Sequence, residues 1–309
     1  MNSTVNPTRA VQDDFKDAFI KNFIVVFLGI AINYINGIFV FIFSKSPVFY
    51  MESKYILYIH LVINDMIMLS ISVTLHVITY AAPLVNVSLC CILLLVGTMT
   101  ARNTPMSLAG MAVERYIAIC KPLHHSQICT VRRTYMLILL IWCLTFIPEL
   151  ADIIILVLTR PLSFFTSKIF CYPLTVYSTS YHLEKNVAVN VLFMSFVWIM
   201  LIYTYFRVFF AAKTATTDAV SAKKAQNTIL LHGVQLLLCM LSYITPLLEA
   251  ILIPLFPNER SKIGFSNFLI TNVLPRFLTP FIYGIRDQKI VSYFKKHSST
   301  CIVKVRPVN

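Results

Sequence analysis

Charged residues stand in this chain where a solvated charge has no ordinary place. Glu114, Arg115 and Tyr116 follow a long apolar run over residues 87–109. An arginine at the end of a membrane-length helix sits where lipid gives way to water. There it can snorkel outward, pair with the adjacent carboxylate, or be offered to a partner. That is the chemistry of a switch; a topological anchor is the plainer reading of a lone arginine. Two more arginines, Arg102 and Arg276, fall inside apolar stretches, as do Asp65, Glu149, Asp152 and Glu249. A charge at the membrane centre costs at least about 2.5 kcal/mol, so such groups are expected to pair, Arg102 with Glu149 or Asp152. A structural ion pair and a functional group compete as explanations of each. Bond-making chemistry finds no support: His124 and His125 lack cysteine or acid partners at metal-ligand spacing, and there is no glycine-rich phosphate loop or nucleophile motif. No catalytic residue, metal or cofactor is expected.

The elements that must position these charges are membrane spans. Of the 309 residues, 58% are hydrophobic and 13% charged, with a mean hydropathy of +0.75; soluble domains carry about 25% charged residues. Apolar spans are expected at residues 20–43, 55–80, 87–119, 134–158, 186–211, 226–254 and 264–285, which makes seven. The predicted fold class is an all-α membrane protein, a seven-helix bundle forming one domain over residues 1–309. Residues 1–19 form an outer tail, 20–285 the bundle, and 286–309 a cytoplasmic surface helix and tail. In that last stretch basic residues alternate with Ile290, Val291, Tyr293 and Phe294, as suits a short helix on the membrane surface. The tail lacks an apolar run of signal-peptide type, so the first span is expected to act as its own insertion signal. It holds one glycosylation sequon, at Asn2.

With the N-terminus outside, sixteen Lys and Arg and four acids face the cytosol, against eight basic and five acidic residues outside. The positive-inside rule therefore selects N-out, C-in. The net charge of +13 belongs to the inner face and its anionic lipids, and no nucleic-acid partner is expected.

Residues 111–125, MAVERYIAICKPLHH, resemble the end of the third helix in rhodopsin-like G-protein-coupled receptors, the odorant-receptor branch in particular, of the fish type. Glu114 replaces the usual Asp there and Val113 the usual Tyr. Residues 275–287 resemble the family's closing motif as Thr279-Pro280-Phe281-Ile282-Tyr283, with threonine in place of asparagine. Lys223, Lys224, Ala225, Thr228 and His232 are similar to the start of its sixth helix, and Asn36, Asp65 and Trp142 stand at its markers of spans one, two and four.

The resemblance implies an olfactory receptor at the plasma membrane that takes a small-molecule odorant and activates a heterotrimeric G protein. It assigns Glu114, Arg115, Tyr116, Tyr205, Lys224 and Tyr283 to coupling. It makes Asn36, Asp65, Thr279 and Pro280 part of an intramembrane polar core. Arg276 belongs to that core but departs from the family, which generally carries a small polar residue there; a buried arginine needs a carboxylate, and Asp65 is the natural partner, the guanidinium standing in place of the sodium ion that many relatives hold. Its ligand-pocket candidates are Thr98, Arg102, Asn103, Met106, Asn190, Phe193, Tyr243, Glu249 and Asn272. Either Cys90 or Cys91 can reach Cys171 of the outer loop, and the family position is that of Cys90. Cys301, past the surface helix, is a palmitoylation candidate. A rhodopsin-like receptor for an endogenous small molecule, lipid or peptide is the alternative, and a transporter or channel a remote one, since no inverted repeat is visible.

Overall fold

The computed structural model describes residues 14–214, 251–256 and 259–280, with isolated positions between 230 and 249 and at 290 and 292. Among these residues five helices are long and apolar enough to cross a membrane. They are α1 (Phe15–Lys45), α2 (Ser53–Ala81), α3 (Val87–Cys120), α5 (Val131–Thr159) and α8 (Ser180–Thr214). Short helices α4 (Pro122–Ile128), α6 (Leu162–Thr166) and α7 (Pro173–Val176) lie in the connections. Further on, α9 (Arg260–Phe268), a π-helical turn (Leu269–Val273) and α10 (Leu274–Pro280) run on as one rod. Each described span reaches beyond the predicted apolar limits because polar residues at a membrane boundary continue the helix. Thus α1 begins at Phe15 and not at residue 20.

Helix starts follow local chemistry. The Asn86 side chain accepts from the Ser88 amide to open α3, and Thr130 accepts from the Arg133 amide to open α5. Pro105 and Pro148 sit inside α3 and α5. Each removes one helical hydrogen bond, which a packed membrane bundle tolerates.

Helix α3 is the axle of the bundle, packed against α2, α5 and α8. Its residues Leu108, Ala109, Met111 and Ala112 form one buried cluster with Leu57 and Leu61 of α2, Ile141 of α5, and Val197 and Leu201 of α8. Lipid tails are as apolar as leucine, so close packing, more than burial, holds such helices together. At the α1–α2 crossing a Cβ on Gly29 would lie 2.8 Å from Val73 Cγ2, which shows how near the two backbones come. Outward, Phe19, Phe23, Phe27, Ile30 and Tyr34 of α1 are exposed, as a lipid-facing surface should be.

At the end of the bundle where α3 begins, two three-residue strands, β1 (Leu84–Asn86) and β2 (Lys168–Phe170), pair antiparallel with Val85 opposite Ile169. Beside them Cys90 and Cys171 form a disulfide, and Cys91 is a free, buried thiol. Of the two cysteines within reach, the family position is therefore the bonded one.

Candidate functional site

Three polar layers are stacked along α3. The first, in the N-terminal half of α3, joins α3, α5 and α8. Arg102, 5% exposed, makes an ion pair from Nη1 to Glu149 Oε1. Its Nη2 donates to Asn186 Oδ1 (2.8 Å) and its Nε to Asn190 Oδ1 (3.1 Å). The Thr98 hydroxyl donates to the second Glu149 oxygen at 2.8 Å. Asp152 is paired instead with Lys185, whose ammonium also donates to the Pro148 carbonyl (2.8 Å). His182 packs its Nε2 3.8 Å from Asp152 Oδ1 and bonds Thr179 through Nδ1. An isolated buried charge would be very costly here, and each cation is matched by a carboxylate.

Thr98, Arg102 and Asn190 thus come together as expected ligand-site residues, whereas other candidates do not join them. Asn103 takes part in a directed chain of hydrogen bonds. Trp142 Nε1 can only donate, so His60 Nε2 accepts (2.9 Å) and the ring proton stands on Nδ1, toward Ser107 Oγ (3.3 Å). Ser107 in turn donates to Asn103 Oδ1 at 2.9 Å. Met106 packs into the α2–α3–α5–α8 core cluster. Asn272 accepts from Ser72 (3.5 Å) and donates to Thr271 (3.0 Å). Glu249 accepts from Asn267 (3.2 Å), and Phe193 is partly buried on α8. Tyr243 lies outside the described residues. Asn186, Lys185 and His182 were missed; their one sequence signal is the i, i+4 spacing of Asn186 and Asn190 on a face of α8.

The middle layer centres on Asp65, 1% exposed. Thr279 donates to Oδ2 (2.7 Å) and Thr104 to Oδ1 (3.2 Å), while Asn64 donates to Thr104 Oγ1 (2.9 Å) and to the Thr100 carbonyl (3.0 Å). The expected direct pair with Arg276 does not form: among the described residues no cation lies within 4 Å of the Asp65 carboxylate, and Arg276 acts on it only through space. The reason is a proline. Pro275 has no N–H to give the Thr271 carbonyl four residues earlier, and Arg276 Nη1 takes that carbonyl at 2.6 Å. Thr279 also donates to the Pro275 carbonyl (3.0 Å), and Pro280 is buried beside it. Asn36 is fully buried, with neither amide atom partnered among the described residues.

The third layer, at the C-terminal end of α3, is built on Glu114, 5% exposed. Arg115 Nε stands 3.5 Å from one of its oxygens, and His125 Nε2, from α4, 3.0 Å from the other. His125 has no acid partner at metal-ligand spacing in the sequence; the turn at Lys121 folds α4 back and brings Glu114 to it. Burial, then the Glu114 charge, push the nearby Cys129 thiol above the usual range. Tyr116 meets the Tyr203 ring of α8, with centroids 5.9 Å apart. Tyr205 is exposed and stacks on Phe209, so it is Tyr203 that approaches α3. Lys224, Tyr283, Asn2, Cys301 and most of the expected surface helix lie outside the described residues.

This chain is 29% identical to Odorant receptor 131-2 of Danio rerio over 300 residues, 96% of this chain and 92% of that protein. It is 29% identical to human Olfactory receptor 1L1 over 194 residues (59% of this chain, 50% of that one) and 27% identical to human Olfactory receptor 1N2 over 190 residues (59% and 57%). The family of seven-transmembrane receptors of the rhodopsin type matches residues 35–283, which include all three layers. The chain is a multi-pass, all-α membrane protein, and it belongs to the rhodopsin family of seven-transmembrane receptors, which are not enzymes.

Proposed function

We propose that the chain is an olfactory receptor of the plasma membrane, which binds a small odorant in the outer layer and activates a heterotrimeric G protein from the inner one. The observation that carries this reading is that α3 alone bears both ends of the device. Arg102, Thr98 and their partners occupy its outer half, and the Glu114–Arg115 pair its inner end, thirteen residues or about 20 Å farther along. The zebrafish relative, matched over nearly its full length, is an odorant receptor. In the same reading the chain is one seven-helix domain with its N-terminus outside, its basic inner face against anionic lipid, and a surface helix after the seventh span. Asn2 carries glycan and Cys301 an acyl chain.

Agonist must bind the active arrangement better than the resting one, since a ligand without differential affinity shifts nothing. Arg115→Ala is expected to abolish agonist-driven nucleotide exchange while sparing surface expression and ligand binding. Exchange at wild-type amplitude in that variant would refute the coupling role.

A further inference from the structure

Resting on that ligand-site reading, we infer that the outer layer recognises an uncharged carbonyl compound, such as a ketone, ester, aldehyde or lactone. The guanidinium of Arg102 carries donors only. Asn186 and Asn190 must therefore turn their amide oxygens to it, as they do at 2.8 and 3.1 Å, and the orientation of both amides is settled by chemistry. Their Nδ2 groups consequently face away from Arg102. Neither donates to any group among the described residues, and both side chains are half-buried. One turn apart on α8, the two amides present N–H donors about 6 Å apart to whatever occupies the site.

Charge selects among acceptors. Arg102 is compensated by Glu149 and Lys185 by Asp152, so the layer is neutral as it stands. A carboxylate ligand would add a buried negative charge without a counter-charge. An ammonium ligand would add a buried positive charge to a layer whose carboxylates are already matched, Glu149 with Arg102 and Asp152 with Lys185; Asp152 Oδ1 accepts no hydrogen bond among the described residues but is itself fully buried. A hydrocarbon would cover the amide donors and leave them unpaired. A carbonyl oxygen brings two lone pairs and no charge, which matches what the amides offer.

The test uses the full-length chain in cells, with surface expression measured beside G-protein activation. The panel consists of ketones and esters, carboxylates, primary amines and alkanes matched in carbon skeleton, from short to long and including cyclic members. Activation is expected from the carbonyl class. Asn190→Asp keeps the oxygen that meets Arg102 and exchanges the outward NH2 for an acceptor. It should lower carbonyl potency at least about tenfold and raise that of the amine with the same skeleton. Asn186→Asp should act in the same direction. Activation led by carboxylates, amines or alkanes overturns the inference, as does a carbonyl potency indifferent to both substitutions. If neither variant reaches the surface, the wild-type ranking decides alone. Silence to all four classes also overturns it, whereas the receptor reading falls separately, if cells expressing the chain at the surface show the same basal G-protein signalling as cells without it.

Discussion

At the scale of single residues, Glu114 shows how a switch is set. Its two oxygens are taken one each by Arg115 and His125, so the histidine helps to hold the carboxylate in the position that Arg115 meets. Net hydrogen bonds of this kind contribute about 0.5 to 1.5 kcal/mol. His125→Ala should therefore loosen the resting arrangement and raise agonist-independent signalling about two- to tenfold, measured as basal nucleotide exchange at matched surface expression; unchanged basal exchange would make His125 a bystander. The Glu114–Arg115 contact was legible because the two are neighbours in an apolar boundary. The Glu114–His125 contact was not, because eleven residues and a change of helix direction at Lys121 separate them. Arg276 shows the same limit. The need for a buried partner was evident, yet choosing between a carboxylate and a carbonyl freed by Pro275 required the backbone path of the π-helical turn.

Helix positions and extents followed from apolar runs bounded by polar residues, and the described spans differ from expectation mainly at their ends. Close crossings left a fainter trace. Gly29 reads as an ordinary membrane glycine until the α2 backbone is in place, when Val73 fills the space a side chain would need. Gly29→Leu should accordingly reduce surface expression severely, and Val73→Ala should restore part of it; surface labelling of the single and double variants checks both, and equal loss in the two would argue against a steric cause. The outer loop is tied down twice, by the β1–β2 pairing and by Cys90–Cys171. The disulfide contributes about 2 to 4 kcal/mol in the chain-entropy picture. Cys90→Ser and Cys171→Ser should therefore impair folding equally, with the double change scarcely worse. A marked difference between the single variants would implicate the free Cys91 in an exchanged bridge.

For the whole molecule, the middle layer connects the sheath of helices to its charge balance. Asp65 has a hydroxyl donor on each oxygen and the Arg276 charge nearby, an arrangement that leaves a small cation little to gain. Ligand affinity and thermal stability should accordingly be the same in sodium as in choline chloride at equal ionic strength. A steep loss of agonist affinity with sodium would show that the ion competes successfully with the threonines and Arg276. Removing Thr279 should weaken this balance: Thr279→Val strips one donor from a buried carboxylate and should cost about 1 to 3 kcal/mol in thermal unfolding.

Pro105 divides α3 between Arg102 and Arg115, and one missing backbone bond there makes the helix a jointed lever. The inner arm, from Pro105 to Arg115, is ten residues or about 15 Å long. A bend of only a few degrees at the joint would carry the Arg115 end sideways by about 1 Å, the size of the helix shifts by which packed proteins switch. The outer arm, from Arg102 to Pro105, is a single turn. In the proposed function the lever is therefore unequal, geared so that a slight tilt imposed by a ligand leaning on Arg102 and its amides would be magnified at Glu114.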